Sequence, residues 1–200
     1  MTALLRYRFI YSLFLLVFVP DIAHAHVGTG EALSWAHGML HPVAGLDHLC
    51  AMVAVGMWAA QLGGRALWLA PLTFVGVMAL GGLLGMSAIA LPPVVEGGIE
   101  GGILASLLVL GALIAAAVRL PLAASLALVG LFALFHGYAH GAEMPHSASG
   151  LSYALGFMLT TVALHLGGIG MARWLGRTAH WLRLAGAAIA AFGGVFYFAA

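Results

Sequence analysis

Long apolar stretches, separated by short groups of proline, glycine or charged residues, occupy most of the chain. A helix that crosses a lipid bilayer needs about 20 apolar residues, and six stretches beyond residue 40 have about that length. Lipid offers no water to backbone groups, so segments joined by such short connections must be helices. The pattern predicts an all-α fold, a polytopic membrane bundle of six transmembrane helices. We place the predicted spans at 43–63, 66–90, 94–118, 121–141, 148–172 and 181–199.

The first 25 residues have the pattern of a cleavable signal peptide. Arg6 and Arg8 precede an apolar run over 9–19, and Ala23-His24-Ala25 has the small-residue pattern of a cleavage site. We expect cleavage after Ala25, which makes 1–25 the signal peptide and 26–200 a single six-helix transmembrane domain. The alternative is an uncleaved first helix.

The arginines predict the orientation of the chain in the membrane. Export of the N-terminus places the loops near 65, 119 and 173–183 in the cytoplasm. Every arginine of 26–200 falls in these loops, as the positive-inside rule requires: Arg65, Arg119, Arg173, Arg177 and Arg183. We therefore expect a multi-pass protein of the bacterial inner membrane, with the mature N-terminus and the C-terminus both in the periplasm.

Composition excludes several classes of protein. Residues are 64% hydrophobic and 6% charged, whereas about a quarter of residues are charged in soluble domains. The net charge is +1 and lysine is absent, so we expect no nucleic-acid partner. A single cysteine excludes a disulfide framework and an all-cysteine metal site. The expected partner is the lipid bilayer, and whether the chain forms a homo-oligomer stays open.

Histidines concentrate on the predicted outer face. In the first cluster, Pro42 suits the first turn of a helix, and His41 and His48 then share one helical face with Gly45 between them. Asp47 lies in the early turns of the same predicted helix, where its carboxylate can ligate a metal or orient an imidazole. The alternative is that these side chains only bind water at the membrane surface.

A second cluster ends the fourth predicted span. His136, His140 and Glu143 are spaced i, i+4 and i+7 and so share one helical face. Imidazole is a good ligand for nickel, cobalt, copper and zinc. The two clusters together predict a divalent-metal site made by His41, Asp47, His48, His136, His140 and Glu143.

At these residues the sequence resembles a known family. The patterns His41-Pro-x-x-Gly-x-Asp47-His48 and Phe135-His136-Gly-x-Ala-His140-Gly-x-Glu143-x-Pro145 resemble those of the HupE/UreJ hydrogenase and urease accessory proteins, and the segment from Glu100 to Gly111 resembles the third helix of that family. The resemblance implies a nickel permease, with cobalt as cargo in some members, that serves hydrogenase or urease maturation. It implies no enzymatic activity and no permanently bound cofactor, and the same six residues carry over as metal ligands.

Four further residues are auxiliary metal candidates. His26, His37 and Glu100 lie on the predicted outer face, and His165 lies deeper, where it can line an exit path or bond to a neighbouring helix.

Two other functions stay open at this point. Histidines on two helices can bind haem in a membrane cytochrome, and the run from His146 to Gly150 loosely resembles a serine motif of intramembrane proteases.

Overall fold

A computed structural model describes residues 31–87, 97–144, 149–176 and 179–199 of the protein. All the regular secondary structure in these ranges is helical. The predicted signal peptide, the candidate ligand His26 and His146 lie outside the described residues. The helices are α1 (Glu31–Ala44), α2 (Leu46–Leu62), α3 (Ala66–Met86), α4 (Gly98–Ala115), α5 (Leu122–Ala142), α6 (Gly150–Leu175) and α7 (Ala179–Ala199).

The predicted helical membrane bundle is confirmed. Helices α3 to α7 are each long and apolar enough to cross a bilayer, and they overlap the second to sixth predicted spans. Helices α1 and α2 meet the same criteria only as a pair, and they are bent by 80° at the break between them. Counted as one broken span, this pair is the sixth.

The first span is where the prediction was wrong. A single helix beginning near residue 43 was expected, but helix α1 begins at Glu31, contains Pro42 and ends at Ala44. Proline removes one backbone hydrogen bond and clashes with the preceding turn, and Gly45 then takes an extended conformation (φ −93°, ψ 119°). His41 and His48 therefore lie on two different helices and not on one face of a single helix.

Glycines at the helix contacts let the backbones of α3 and α5 touch directly. On α3 a Cβ at Gly85 would overlap the Tyr138 carbonyl of α5, and on α5 a Cβ at Gly137 would overlap the Met78 carbonyl of α3. Helices in lipid associate through such close packing of small residues, because the lipid supplies no hydrophobic driving force between them. The α3–α5 pair fixes the position of His136 and His140, which flank Gly137.

Helix α6 holds both halves of the broken span. A Cβ at Gly38 of α1 would overlap the Tyr153 carbonyl, and a Cβ at Gly56 of α2 would overlap the His165 carbonyl. The Thr160 hydroxyl also donates a 2.9 Å hydrogen bond to the Met39 carbonyl of α1. Both sides of the bend at Gly45 are therefore held by one helix, α6.

Arginines mark one end of the bundle. Arg65 precedes α3, Arg119 precedes α5, and both line a groove of about 250 Å³. The Arg183 guanidinium donates a 2.7 Å hydrogen bond to the Ala115 carbonyl at the end of α4. Glu143 lies at the opposite end, directly after α5.

The glycine contact between α3 and α5 predicts the effect of one added methyl group. Gly85→Ala should lower the free energy of unfolding by about 1–3 kcal/mol, because the Cβ must push apart two backbones that contact each other. Thermal unfolding in detergent measures this change.

Gly76→Ala is the matched control on the same helix, because nothing lies within 4 Å of a Cβ at that position. It should be neutral or slightly stabilising, since alanine favours a helix more than glycine does. Equal destabilisation by both substitutions would contradict the packing account.

Candidate metal centre

The six predicted ligand residues converge at the end of the bundle that carries Glu143. His41 comes from the last turn of α1 and Asp47 and His48 from the first turn of α2. His136 and His140 come from the last turns of α5. The 80° bend brings His41 and His48 to the same partner, since their ring centroids lie 4.7 and 4.4 Å from that of His140.

His140 is the central imidazole of the cluster. It is 2% exposed, and neither of its ring nitrogens has a hydrogen-bond partner among the described residues. A buried polar group without a partner costs about 1–3 kcal/mol, so this position is unfavourable for a side chain that only packs. It suits an imidazole that offers a lone pair to an ion.

The outer part of the centre contains a carboxylate. The Nε2 atom of His41 donates a 3.0 Å hydrogen bond to Oε2 of Glu143, and both side chains are partly exposed. This hydrogen bond lowers the pKa of Glu143 below its usual value, which keeps the carboxylate ionised at neutral pH. One ligand atom each from His41, His140 and Glu143 lie within 4.8 Å of one another, a spacing that a single metal ion can bridge.

Asp47 acts on His48 and orients it. Its Oδ1 accepts hydrogen bonds from the His48 backbone N–H at 2.9 Å and from His48 Nδ1 at 3.0 Å. The second bond places the ring proton on Nδ1 and leaves the lone pair on Nε2, as carboxylates do for histidines that bind metals. That Nε2 atom is buried and has no hydrogen-bond partner in the described part of the chain.

The glycine at the break has a specific role here. A Cβ at Gly45 would lie 2.7 Å from Oδ1 of Asp47 and 3.2 Å from Nδ1 of His48. The space beside the break is therefore filled by the Asp47–His48 pair, which explains why glycine precedes these two residues.

A backbone carbonyl orients the His136 ring in the same way. Its Nδ1 donates a 2.9 Å hydrogen bond to the Phe132 carbonyl one turn earlier on α5, so its lone pair is on Nε2. That atom has no partner among the residues described. The ring lies 5.2 Å from that of His48, on the inner side of the cluster.

Aromatic side chains enclose the imidazoles. Phe157 lies 4.0 Å from His140 and Tyr153 lies 5.9 Å from His41, by ring centroids. Both belong to α6, and Phe74 of α3 covers His136 at 5.5 Å. Sequence reasoning missed all three residues. For Tyr153 and Phe157 the available signal was their spacing with Thr161 and His165, which places an aromatic or polar side chain at every fourth position of α6.

The auxiliary candidates have different outcomes. His37 is exposed and lines an outer groove of about 300 Å³ together with His41, Glu143 and Tyr153. Glu100 is exposed in the first turn of α4, and no hydrogen bond or ion pair joins it to the cluster within the described ranges. His165 lies deeper and contacts Phe74. Its predicted bond to a neighbouring helix does not form among the described residues.

Fold and site together define a class, a polytopic helical membrane protein with a histidine–carboxylate cluster at one end of its bundle. The chain belongs to the HupE/UreJ family, because the family model described as HupE / UreJ protein matches residues 13–196. This is a family of membrane accessory and metal-transport proteins of hydrogenase and urease.

One relative supports this assignment over most of the chain. Protein HupE of Rhizobium leguminosarum bv. viciae is 48% identical over 154 residues, which cover 77% of this chain and 78% of the relative. No solved structure matches the chain.

The Asp47–His48 contact predicts how two substitutions of Asp47 differ. Asp47→Ala should weaken nickel binding by roughly 10–100-fold, the usual effect of losing a group that orients a metal-binding histidine. Asp47→Asn should cost less than tenfold, because the amide oxygen accepts the same two hydrogen bonds. Equilibrium dialysis of the full chain in detergent measures both affinities. Equal, severe losses would show instead that the Asp47 carboxylate binds the metal directly.

Proposed function

We propose that the chain transports a divalent transition-metal ion, nickel in the first place, across the cytoplasmic membrane for hydrogenase or urease maturation. The observation that carries this proposal is the contact of His140 with both His41 and His48. These three histidines, with His136, Asp47 and Glu143, form a cluster of imidazoles and carboxylates at one end of a membrane bundle.

The donor set supports a transition metal over the common alkaline-earth ions. Imidazole nitrogens suit nickel, cobalt, copper and zinc, whereas magnesium and calcium prefer oxygen ligands. Nickel is preferred over cobalt here because the family serves hydrogenase and urease. Cobalt is the second cargo that the same ligands fit.

Orientation gives the site a direction of transport. Arginines lie at one end of the bundle, and the positive-inside rule assigns that end to the cytoplasm. The centre then faces the periplasm, together with the groove that His37 and Glu143 line. An ion reaches this groove from outside the cell and meets an ionised carboxylate first.

Transfer begins when the ion exchanges water for protein ligands. His41, His140 and Glu143 form the outer ligand group. Asp47 and the Phe132 carbonyl keep His48 and His136 in the tautomer with its lone pair on Nε2. Ligands that already have the correct tautomer need no rearrangement when the ion that the outer group holds binds the inner imidazoles as well.

The geometry does not favour the haem alternative. Axial histidines of a haem lie on opposite faces of the porphyrin, but these imidazoles contact each other directly, edge to face, at 4.4–5.2 Å. Rings in direct contact leave no room for a macrocycle between them.

Transport experiments on single-histidine variants test the proposal. His48→Ala and His140→Ala should each reduce the initial rate of nickel uptake by cells at least about tenfold, because a dehydrated ion in an enclosed site has no replacement for the lost ligand. Both variants should stay in the membrane at near-normal abundance.

His180→Ala is the control, because His180 lies near the arginine end at the start of α7 and takes no part in the centre. It should take up nickel at the wild-type rate. Wild-type uptake by both His48→Ala and His140→Ala at normal abundance would overturn the proposed function.

A further inference from the structure

His165 is a second buried imidazole without a hydrogen-bond partner, and it lies outside the metal centre. It is 1% exposed, and both of its ring nitrogens lack a partner among the described residues. Buried polar groups are almost always hydrogen-bonded. His165 therefore needs an explanation other than packing.

The residues around His165 offer further metal-binding atoms. Thr161 lies one turn earlier on α6, and its hydroxyl lies 3.9 Å from the Met78 sulfur on α3. Phe74, one turn before Met78, lies 5.1 Å from His165 by ring centroids. All four side chains are buried, so an imidazole, a hydroxyl and a thioether share one apolar region between two helices.

This region is continuous with the metal centre. The Phe74 ring contacts both His165 and His136, at centroid distances of 5.1 and 5.5 Å. Helix α6 also runs past both levels, with Phe157 against His140 and His165 two turns further on. One phenyl ring is thus the shared neighbour of both histidines.

We propose that His165, Thr161 and Met78 form an inner metal station that receives the transported ion from His136 past the Phe74 ring. This inference rests on the proposed function and adds a step to it. The station has no carboxylate, so it binds a divalent ion more weakly than the metal centre of His41, Asp47, His48, His136, His140 and Glu143, here called the outer centre. A transport pathway needs such sites, because an ion that binds too tightly does not leave.

Uptake by proteoliposomes that contain the full chain, with nickel outside, tests the station. His165→Asn should lower the initial uptake rate about tenfold or more, while the dissociation constant of the outer centre stays within about twofold of wild type. His165→Cys should recover a substantial part of the rate, because a thiolate also binds nickel. A purely structural role predicts no such recovery.

A substitution of Met78 tests whether His165 binds the transported metal ion or only a proton. Met78→Leu preserves volume and removes only the thioether, so it should slow uptake about threefold if the sulfur contacts the ion. Met57→Leu is the matched control, because Met57 is equally buried in the same apolar core but lies on α2 and is not part of the proposed station. It should leave the rate unchanged.

Three outcomes would overturn the station. They are wild-type uptake by His165→Asn, an equal response of Met78→Leu and Met57→Leu, and a loss of outer-centre affinity in His165→Asn that accounts for its slower uptake. Each leaves the proposed function intact as long as His48→Ala abolishes uptake. A wild-type protein that neither binds nor transports nickel would instead overturn the proposed function, and the station with it.

Discussion

A buried imidazole in lipid must either find a hydrogen-bond partner or offer its nitrogen to something else, and this constraint governs the protein. Four histidines are buried in the described residues, and each has at least one ring nitrogen without a partner. Their combined cost is a large fraction of the about 5–15 kcal/mol by which a folded protein is usually stable. Where a partner exists, as for His48 and His136, it sits on Nδ1 and leaves Nε2 available. This pattern is the one that metal ligation requires.

Close helix packing is what holds these imidazoles in contact. Gly137 lies between His136 and His140 in sequence and presses α5 against the Met78 carbonyl of α3. Gly56 presses α2 against α6 in the same way, at His165. Because backbones contact directly at these points, the histidines that they carry have little freedom to move apart. The proposed metal site and the association of the helices therefore depend on the same small residues, and the break at Gly45 lets α1 and α2 run in different directions.

Hydropathy was sufficient to predict the long helices, because each of α3 to α7 is a nearly continuous apolar run. The same signal failed for α1, which has only 14 residues and carries Glu31, Ser34 and two histidines. Spacing found His136 and His140, which share α5, and Glu143, which caps the C-terminal end of that helix. It missed how His41 meets His48, because that contact depends on a bend. Phe74 could not have been found at all, since a phenylalanine in an apolar helix has no distinguishing neighbours in sequence.

The central claim is that imidazoles from both sides of the Gly45 break bind one ion. X-ray absorption at the nickel edge, on the full chain loaded with one equivalent of nickel, tests this most directly. The account predicts a first shell of nitrogen and oxygen atoms with the multiple-scattering signature of at least two imidazoles, reduced by one imidazole in His41→Ala and again in His48→Ala. A shell of oxygen alone, or one that neither substitution changes, would contradict it.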